Sequence, residues 1–212
     1  MGSIKLPHSS GNSMSIAAPA TDPGGNLELK LPATIGTAGQ FLTVDGSGNL
    51  VWANPPGITQ ADQWLMTADD NGESDLYITS NLARPSYDQG SYGLIGSGMT
   101  QNSGVFSFPS TGIWHIHFQA QYHDNGVNAA VNAQIHATAD NSTYSVISQG
   151  RTSNYRDASD FQKTTFTSAL WDVTDTTNQK VKFRVTSSTN VDWQGQSARM
   201  ETGMIFIRLG DT

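Results

Sequence analysis

The clearest pattern along the chain is an alternation between residues 113 and 123. Trp114, Ile116, Phe118, Ala120 and Tyr122 fall on one side of an extended strand, and His115, His117, Gln119, Gln121 and His123 on the other. Successive side chains of a strand point to opposite faces, so this segment buries its apolar set in a sheet-on-sheet core. Its second face is polar but uncharged, a composition that tolerates burial when hydrogen-bonded. Val181, Phe183 and Val185 alternate in the same way with Lys180, Lys182 and Arg184, which predicts a strand with a wet outer face. The stretch Gly203-Met204-Ile205-Phe206-Ile207 is apolar on both faces. Something other than the protomer's own core covers its second side, and a neighbouring subunit is the simple candidate.

Other candidate strands are Trp64–Ala68, Leu76–Thr79, Val105–Phe108, Ala129–Thr138, Tyr144–Ser148, Phe161–Leu170 and Met200–Leu209. Turn clusters separate them: Asp69-Asp70-Asn71-Gly72, Asp124-Asn125-Gly126, Asp140-Asn141-Ser142 and Asp175-Thr176-Thr177-Asn178. This spacing predicts an all-β head over 61–212, a ten-stranded two-sheet sandwich or jelly roll.

Residues 1–60 read differently. They hold six of the eight prolines, with short alternating pieces between them. Asp45-Gly46-Ser47-Gly48-Asn49 separates Phe41–Val44 from Leu50–Trp52 and predicts a hairpin. Ile4-Lys5-Leu6-Pro7 is echoed by Leu29-Lys30-Leu31-Pro32 at a period of 25 residues, a thin sign of a repeat. Such a segment has too little material to cover its own apolar faces. It is expected to be an extended attachment arm or shaft with short hairpins, joined to the head at Asn54-Pro55-Pro56-Gly57.

Composition sharpens this picture. Only 14% of the 212 residues are charged, against about 25% in ordinary domains. Ser, Thr, Asn and Gln together make 72 residues, while Glu occurs three times and Lys five. Strong helix formers are scarce, which excludes helical bundles and doubly wound α/β enzymes. The formal net charge is -7, with no Lys/Arg cluster, so neither nucleic acid nor an anionic membrane surface is an expected partner. No apolar run approaches a membrane span, and no secretory signal opens the chain. The absence of cysteine removes disulfides, thiolate metal sites and thiol nucleophiles.

The stretch Gly104-Val105-Phe106-Ser107-Phe108-Pro109-Ser110-Thr111-Gly112-Ile113-Trp114-His115-Ile116-His117-Phe118 resembles the central signature of the tumour necrosis factor/complement globular-head jelly roll. Gly203-Met204-Ile205-Phe206 resembles that family's final strand, and Val173–Val185 its penultimate hairpin. Residues 31–52, from Leu31-Pro32-Ala33-Thr34 to Leu50-Val51-Trp52, are similar to a segment that recurs in bacteriophage tail-fibre proteins. Trp64 through Phe118 is similar to the head domain of such proteins in marine phages. These resemblances imply a virion fibre with a trimeric head, made in the host cytoplasm and placed on the tail or capsid surface. They also imply that His115, His117, Gln119, Ile205 and Ile207 face a threefold axis. The implied partners are the chain itself as a homotrimer, other virion proteins through residues 1–60, and a host-surface glycan or protein.

Three function classes follow. The first is a receptor-binding fibre, whose ligand candidates are the loop aromatics Tyr87, Tyr92, Tyr155 and Trp193. The second is a capsid or tail decoration protein that binds no receptor. The third is a carbohydrate-active enzyme using Asp157 and Asp160; no nucleophile elbow or phosphate loop supports it, so no catalytic residue is assigned. No cofactor is expected. His115 and His117 would supply imidazoles to an axial metal, but without a carboxylate to orient them no metal site is assigned. Asp69 to Asp75 lacks the terminal bidentate Glu of a calcium loop and reads as a solvated turn.

Overall fold

The computed structural model describes residues 3–7, 9–17, 19–25, 28–55, 57–86, 93–123, 130–153 and 162–212. The chain divides into two compact units, Met1–Pro56 and Gly57–Thr212.

In the first unit, β1 (Ser3–Pro7) pairs with β2 (Ser13–Ala17), and β3 (Phe41–Val44) with β4 (Leu50–Ala53), both antiparallel. The expected hairpin at 41–52 is present. Asp45 builds its turn: Oδ1 accepts from the backbone N–H groups of Ser47 and Asn49, and Oδ2 from the Asn49 amide. These bonds, that of the Asn49 side chain first, hold the Asp45 carboxyl below its ordinary value. The 25-residue echo has no structural counterpart. Its first copy is β1, whereas its second touches β4 only at the Lys30–Asn49 bridge and through the Leu50 N–H to the Lys30 carbonyl. That single bridge is the second copy's only strand pairing among the described residues. Ile4, Leu6, Ile16, Leu29, Leu31, Ile35 and Val44 are all exposed.

The second unit contains β5 (Ala61–Met66), β6 (Asp70–Tyr77), β7 (Leu82–Ala83), β8 (Leu94–Ile95), β9 (Thr100–Asn102), β10 (Val105–Ser107), β11 (Gly112–His123), β12 (Ala130–Thr138), β13 (Ser145–Ser153), β14 (Gln162–Val173), β15 (Lys180–Trp193) and β16 (Gly203–Gly210). The count exceeds the expected ten because β7 and β8 are two-residue pairings along β5. Antiparallel pairing gives two sheets. The first runs β14-β11-β16-β5, with β7 and β8 on β5. The second runs β13-β12-β15, with β6 and the β10-β9 pair on β15. The two join where Tyr122 and His123 pair with Trp193 and Asp192.

The core lies between the sheets and follows the alternation in the sequence. From the first sheet come Trp64, Trp114, Ile116, Phe118, Met204 and Phe206; from the second, Phe106, Ala133, Ile135, Phe183 and Val185. Phe106 sits at the centre, with ring centroids 5.6 Å from Trp64, 5.5 Å from Phe183 and 5.2 Å from Phe206. Each such aromatic contributes about 1.5–3 kcal/mol through burial. At one edge β13 crosses to β14: the Ser148 hydroxyl bonds the Thr167 hydroxyl (2.6 Å) and donates to the Ser168 carbonyl (2.8 Å). Gly150 permits that approach, since a Cβ there would lie 1.8 Å from the Phe166 carbonyl oxygen.

A carboxyl group is buried beside this core. Asp62 is 1% exposed. It accepts from Trp64 Nε1 (2.9 Å), the Met99 N–H (2.7 Å), and Arg84 Nε (2.8 Å) and Nη2 (2.9 Å). The Arg84 guanidinium also lies 4.5 Å from the Trp64 ring centroid. The bidentate pair fastens Arg84, and through it Met99, against β5.

Candidate functional site

The outward side of the first sheet is built by strand register. His115 pairs with Leu170 on β14 and with Ile207 on β16, and His117 with Ser168 and Ile205. Ile207 and Ile205 in turn pair with Ala61 and Gln63 of β5. Directly paired residues share a face, so three uncharged rows cross the sheet: Leu170–His115–Ile207–Ala61, Ser168–His117–Ile205–Gln63, and Phe166–Gln119–Gly203–Leu65. Phe166 is 67% and Leu170 65% exposed. Leu94 and Ile95 of β8, both exposed, extend the apolar surface beyond β5. A shallow concavity of about 140 Å³ lies between Ala61, Gln63, Leu94, Ile95, Ile205 and Ile207.

The groups directly paired with the two imidazoles are Leu170 and Ser168 from β14 and Ile207 and Ile205 from β16, none of them ionisable. The diagonal neighbours on β14 are Phe166 and, one row beyond His115 at the end of this face, Asp172, which pairs with Ile113. The His117 ring stands 6.2 Å from the Phe166 ring, centroid to centroid. Burial, and then the neighbouring His115, push His117 below the ordinary histidine value. Gln119 is half committed within the chain: its amide nitrogen donates to the carbonyls of Met200 (3.0 Å) and Glu201 (3.1 Å).

Thus His115, His117, Gln119, Ile205 and Ile207 share one face. Phe166 and Leu170, its most exposed apolar groups, were not singled out from the sequence. Along β14, Phe166 and Leu170 fall on one side and Ala169, Trp171 and Val173 on the other, so both sides are apolar. Only the pairing of β14 with β11 shows which side is outward.

Other sequence-derived candidates fare differently. Trp193 does not serve as a loop aromatic for ligands. It ends β15, is fully buried, packs 6.0 Å from Tyr122 and donates Nε1 to the Glu73 carbonyl. β15 runs on through Ser187-Ser188-Thr189-Asn190 and so carries Trp193 into the core. Tyr87, Tyr92, Tyr155, Asp157 and Asp160 lie outside the described residues. Asp70 to Asp75 belongs to β6 and is not a turn. Its carboxylates diverge: Asp75 binds Arg184, and the preceding Asp69 accepts from the Gly195 N–H. Among the described residues no three His, Asp or Glu converge on a common point.

The comparisons with known proteins bear on the head. It is similar to the structure of Eiger TNF from S. frugiperda, with a TM-score of 0.53 at 14% identity over 74% of this chain and 96% of that one. The head has a tumour-necrosis-factor-like jelly-roll fold. Murine APRIL at pH 5.0 is also similar, with a TM-score of 0.51 at 10% identity over 71% of this chain and 98% of that one. At such identities the likeness is one of fold. No protein-family model and no curated protein sequence matches the chain.

Proposed function

We propose that the chain is a homotrimeric, non-enzymatic fibre protein of a bacteriophage virion. Residues 1–60 attach it to the particle, and the jelly-roll head assembles through the outward side of β14-β11-β16-β5 and binds the host cell surface. The observation that carries this reading is the uncharged face on which Phe166, Leu170, Ile205 and Ile207 surround His115 and His117. A soluble protomer would be expected to place Lys or Glu there, and a cluster of exposed large apolar groups marks an interaction surface. The tumour-necrosis-factor-like fold favours three copies around that face. The likeness of residues 31–52 to phage tail-fibre segments, and the exposed apolar strands of the first unit, favour the virion setting.

Light scattering on the purified full chain tests the assembly. The expected mass is three times the 22.7 kDa of one chain, and a monomer at micromolar concentration would sink the proposal. Antibody labelling of phage particles, imaged by electron microscopy, tests the virion setting; particles without label on tail or capsid would remove it.

A further inference from the structure

The outward side of the second sheet carries different chemistry, and β15 displays it. Lys180, Lys182 and Arg184 point outward from this strand, while Val181, Phe183 and Val185 enter the core. In a chain of net charge -7, a row of three cations is conspicuous. Two of them are occupied. Lys180 donates to the Thr176 carbonyl (2.7 Å), and Arg184 holds both carboxylate oxygens of Asp75, with Nε at 2.7 Å.

Lys182 differs. Its ammonium lies 4.3 Å from the ring centroid of Tyr77 and 4.2 Å from that of Tyr144. Among the described residues it has no carboxylate partner and no hydrogen-bond acceptor. Aromatic faces fix a cation through their quadrupole and leave its N–H donors unused. The ammonium is therefore held in place with its donors available. His136, its partner across the strands, adds no charge at neutral pH, because burial and the adjacent Arg184 and Lys182 hold it below the ordinary histidine value against the pull of Asp75.

Lys182 also lines a concavity of about 280 Å³, whose remaining polar lining includes Tyr77, Thr79 and Ser103. Small-molecule sites begin at about 300 Å³, so this one suits a single ring-sized group. The turn forming one wall is strained. Ser103 has φ 48° and Gly104 φ 76°, and a Cβ on Gly104 would lie 2.1 Å from the Ile78 carbonyl oxygen. A non-glycine residue in the left-handed region is strained, and such strain concentrates at ligand sites.

We propose that this concavity binds an acidic sugar, with the carboxylate on the Lys182 ammonium and the ring hydroxyls on Thr79 and Ser103. A donor-only cation fixed beside hydroxyls selects an anionic, hydroxyl-rich ring over an apolar group. The site lies on the sheet opposite the self-association face, so it stays open in the assembled protein. This proposal rests on the reading of the head as a host-binding domain and names its ligand class.

Calorimetry with the full chain tests it, using a galacturonate trisaccharide and sialyllactose, each beside its methyl ester. At least one acid should bind, with its ester about 10-fold weaker or more. Lys182→Gln should weaken the acid by a similar factor, while Lys180→Gln stays within about twofold of the wild type. Equal binding of acid and ester, wild-type affinity in Lys182→Gln, or no saturable binding of either acid would each overturn the proposal. An acidic peptide binding where the sugars do not would also overturn it. If Lys182→Gln fails to fold, the acid–ester comparison on the wild type still decides. Light scattering in parallel separates the two readings: a trimer that binds no acid refutes this site alone, and a monomer that binds acid refutes the assembly alone.

Discussion

On the first sheet of the head, the outward rows run Leu170–His115–Ile207 and Ser168–His117–Ile205, with no charge in them. On the second, the outward row of β15 is Lys180, Lys182 and Arg184, balanced by Asp75 and flanked by Tyr77 and Tyr144. The inward rows of the two sheets are alike: Trp114, Ile116 and Phe118 on one, Val181, Phe183 and Val185 on the other. Folding the sandwich constrains only the inward rows. The outward rows are free to serve whatever each face meets, so their difference reports on surroundings. A face meeting water favours ions, which lose solvation when covered. A face meeting copies of itself disfavours them, because each charge would be repeated against its like, whereas amides, hydroxyls and neutral imidazoles pair. The low overall charge of the chain thus has a local expression on the first sheet.

The contrast breaks most sharply at Asp62, the buried carboxylate that borders the first sheet. Asp62→Ala leaves the Trp64 indole N–H, the Met99 N–H and the Arg84 guanidinium without their acceptor. The expected loss is about 3–5 kcal/mol of stability, read as a shift of the denaturant midpoint. A loss below about 1 kcal/mol would mean that Arg84 and Met99 rearrange freely, and that the edge of the first sheet is not fixed by this pair.

Next in size is a charge placed on the uncharged face. Phe166→Asp should weaken self-association about 100-fold, equivalent to about 3 kcal/mol, while leaving the thermal unfolding of the monomer nearly unchanged, since Phe166 is 67% exposed in the protomer. Sedimentation velocity across a dilution series measures it. Unaltered association would move the interface elsewhere and remove the explanation offered for the missing charge.

Much of this contrast was legible in the sequence, and the reason is periodicity. The alternations at 113–123 and 181–185 mark both inward rows and both outward rows. The strand at 203–207 is apolar on both sides, as its residues show, and Ile205 and Ile207 do lie on the outward side with His115 and His117. Phe166 and Leu170 were not legible, because the β14 segment carries apolar residues on both sides and only its register with β11 sorts them. Trp193 misled for a related reason: Ser, Thr and Asn before it resemble a turn, yet the irregular pairing of β15 with β6 carries the strand through them. The Lys182 cage was illegible because Tyr77 and Tyr144 come from separate segments that only the fold brings together.

Acid should weaken assembly through the first face. Burial holds the His117 proton affinity below the ordinary value of 6.5, and cover by neighbouring copies would strengthen that effect. A histidine depressed in this way contributes stability fully present above its unfolded value and lost as pH falls below it. Assembly is therefore expected to be strongest above about pH 6.5 and to weaken on acidification. His117→Gln should flatten the dependence. A trimer mass equally stable in dilution at neutral and acidic pH would contradict this.

The smallest effect is expected on the second face. Asp75 is held below the ordinary carboxylate value chiefly by its hydrogen bond from Arg184, so its contribution is present above the unfolded carboxyl value of 3.8 and fades as pH falls through the lower folded one. Its side chain is 53% exposed, however, and solvent screens most of the attraction. A double-mutant cycle of Asp75→Ala with Arg184→Met should give a coupling of about 0.2–1 kcal/mol. A coupling near the Asp62 value would mean that the second face is as rigidly ordered as the buried edge of the first. The charges of β15 would then be part of the frame of the head, and the division between a face built for copies and a face built for solvent and ligand would no longer hold.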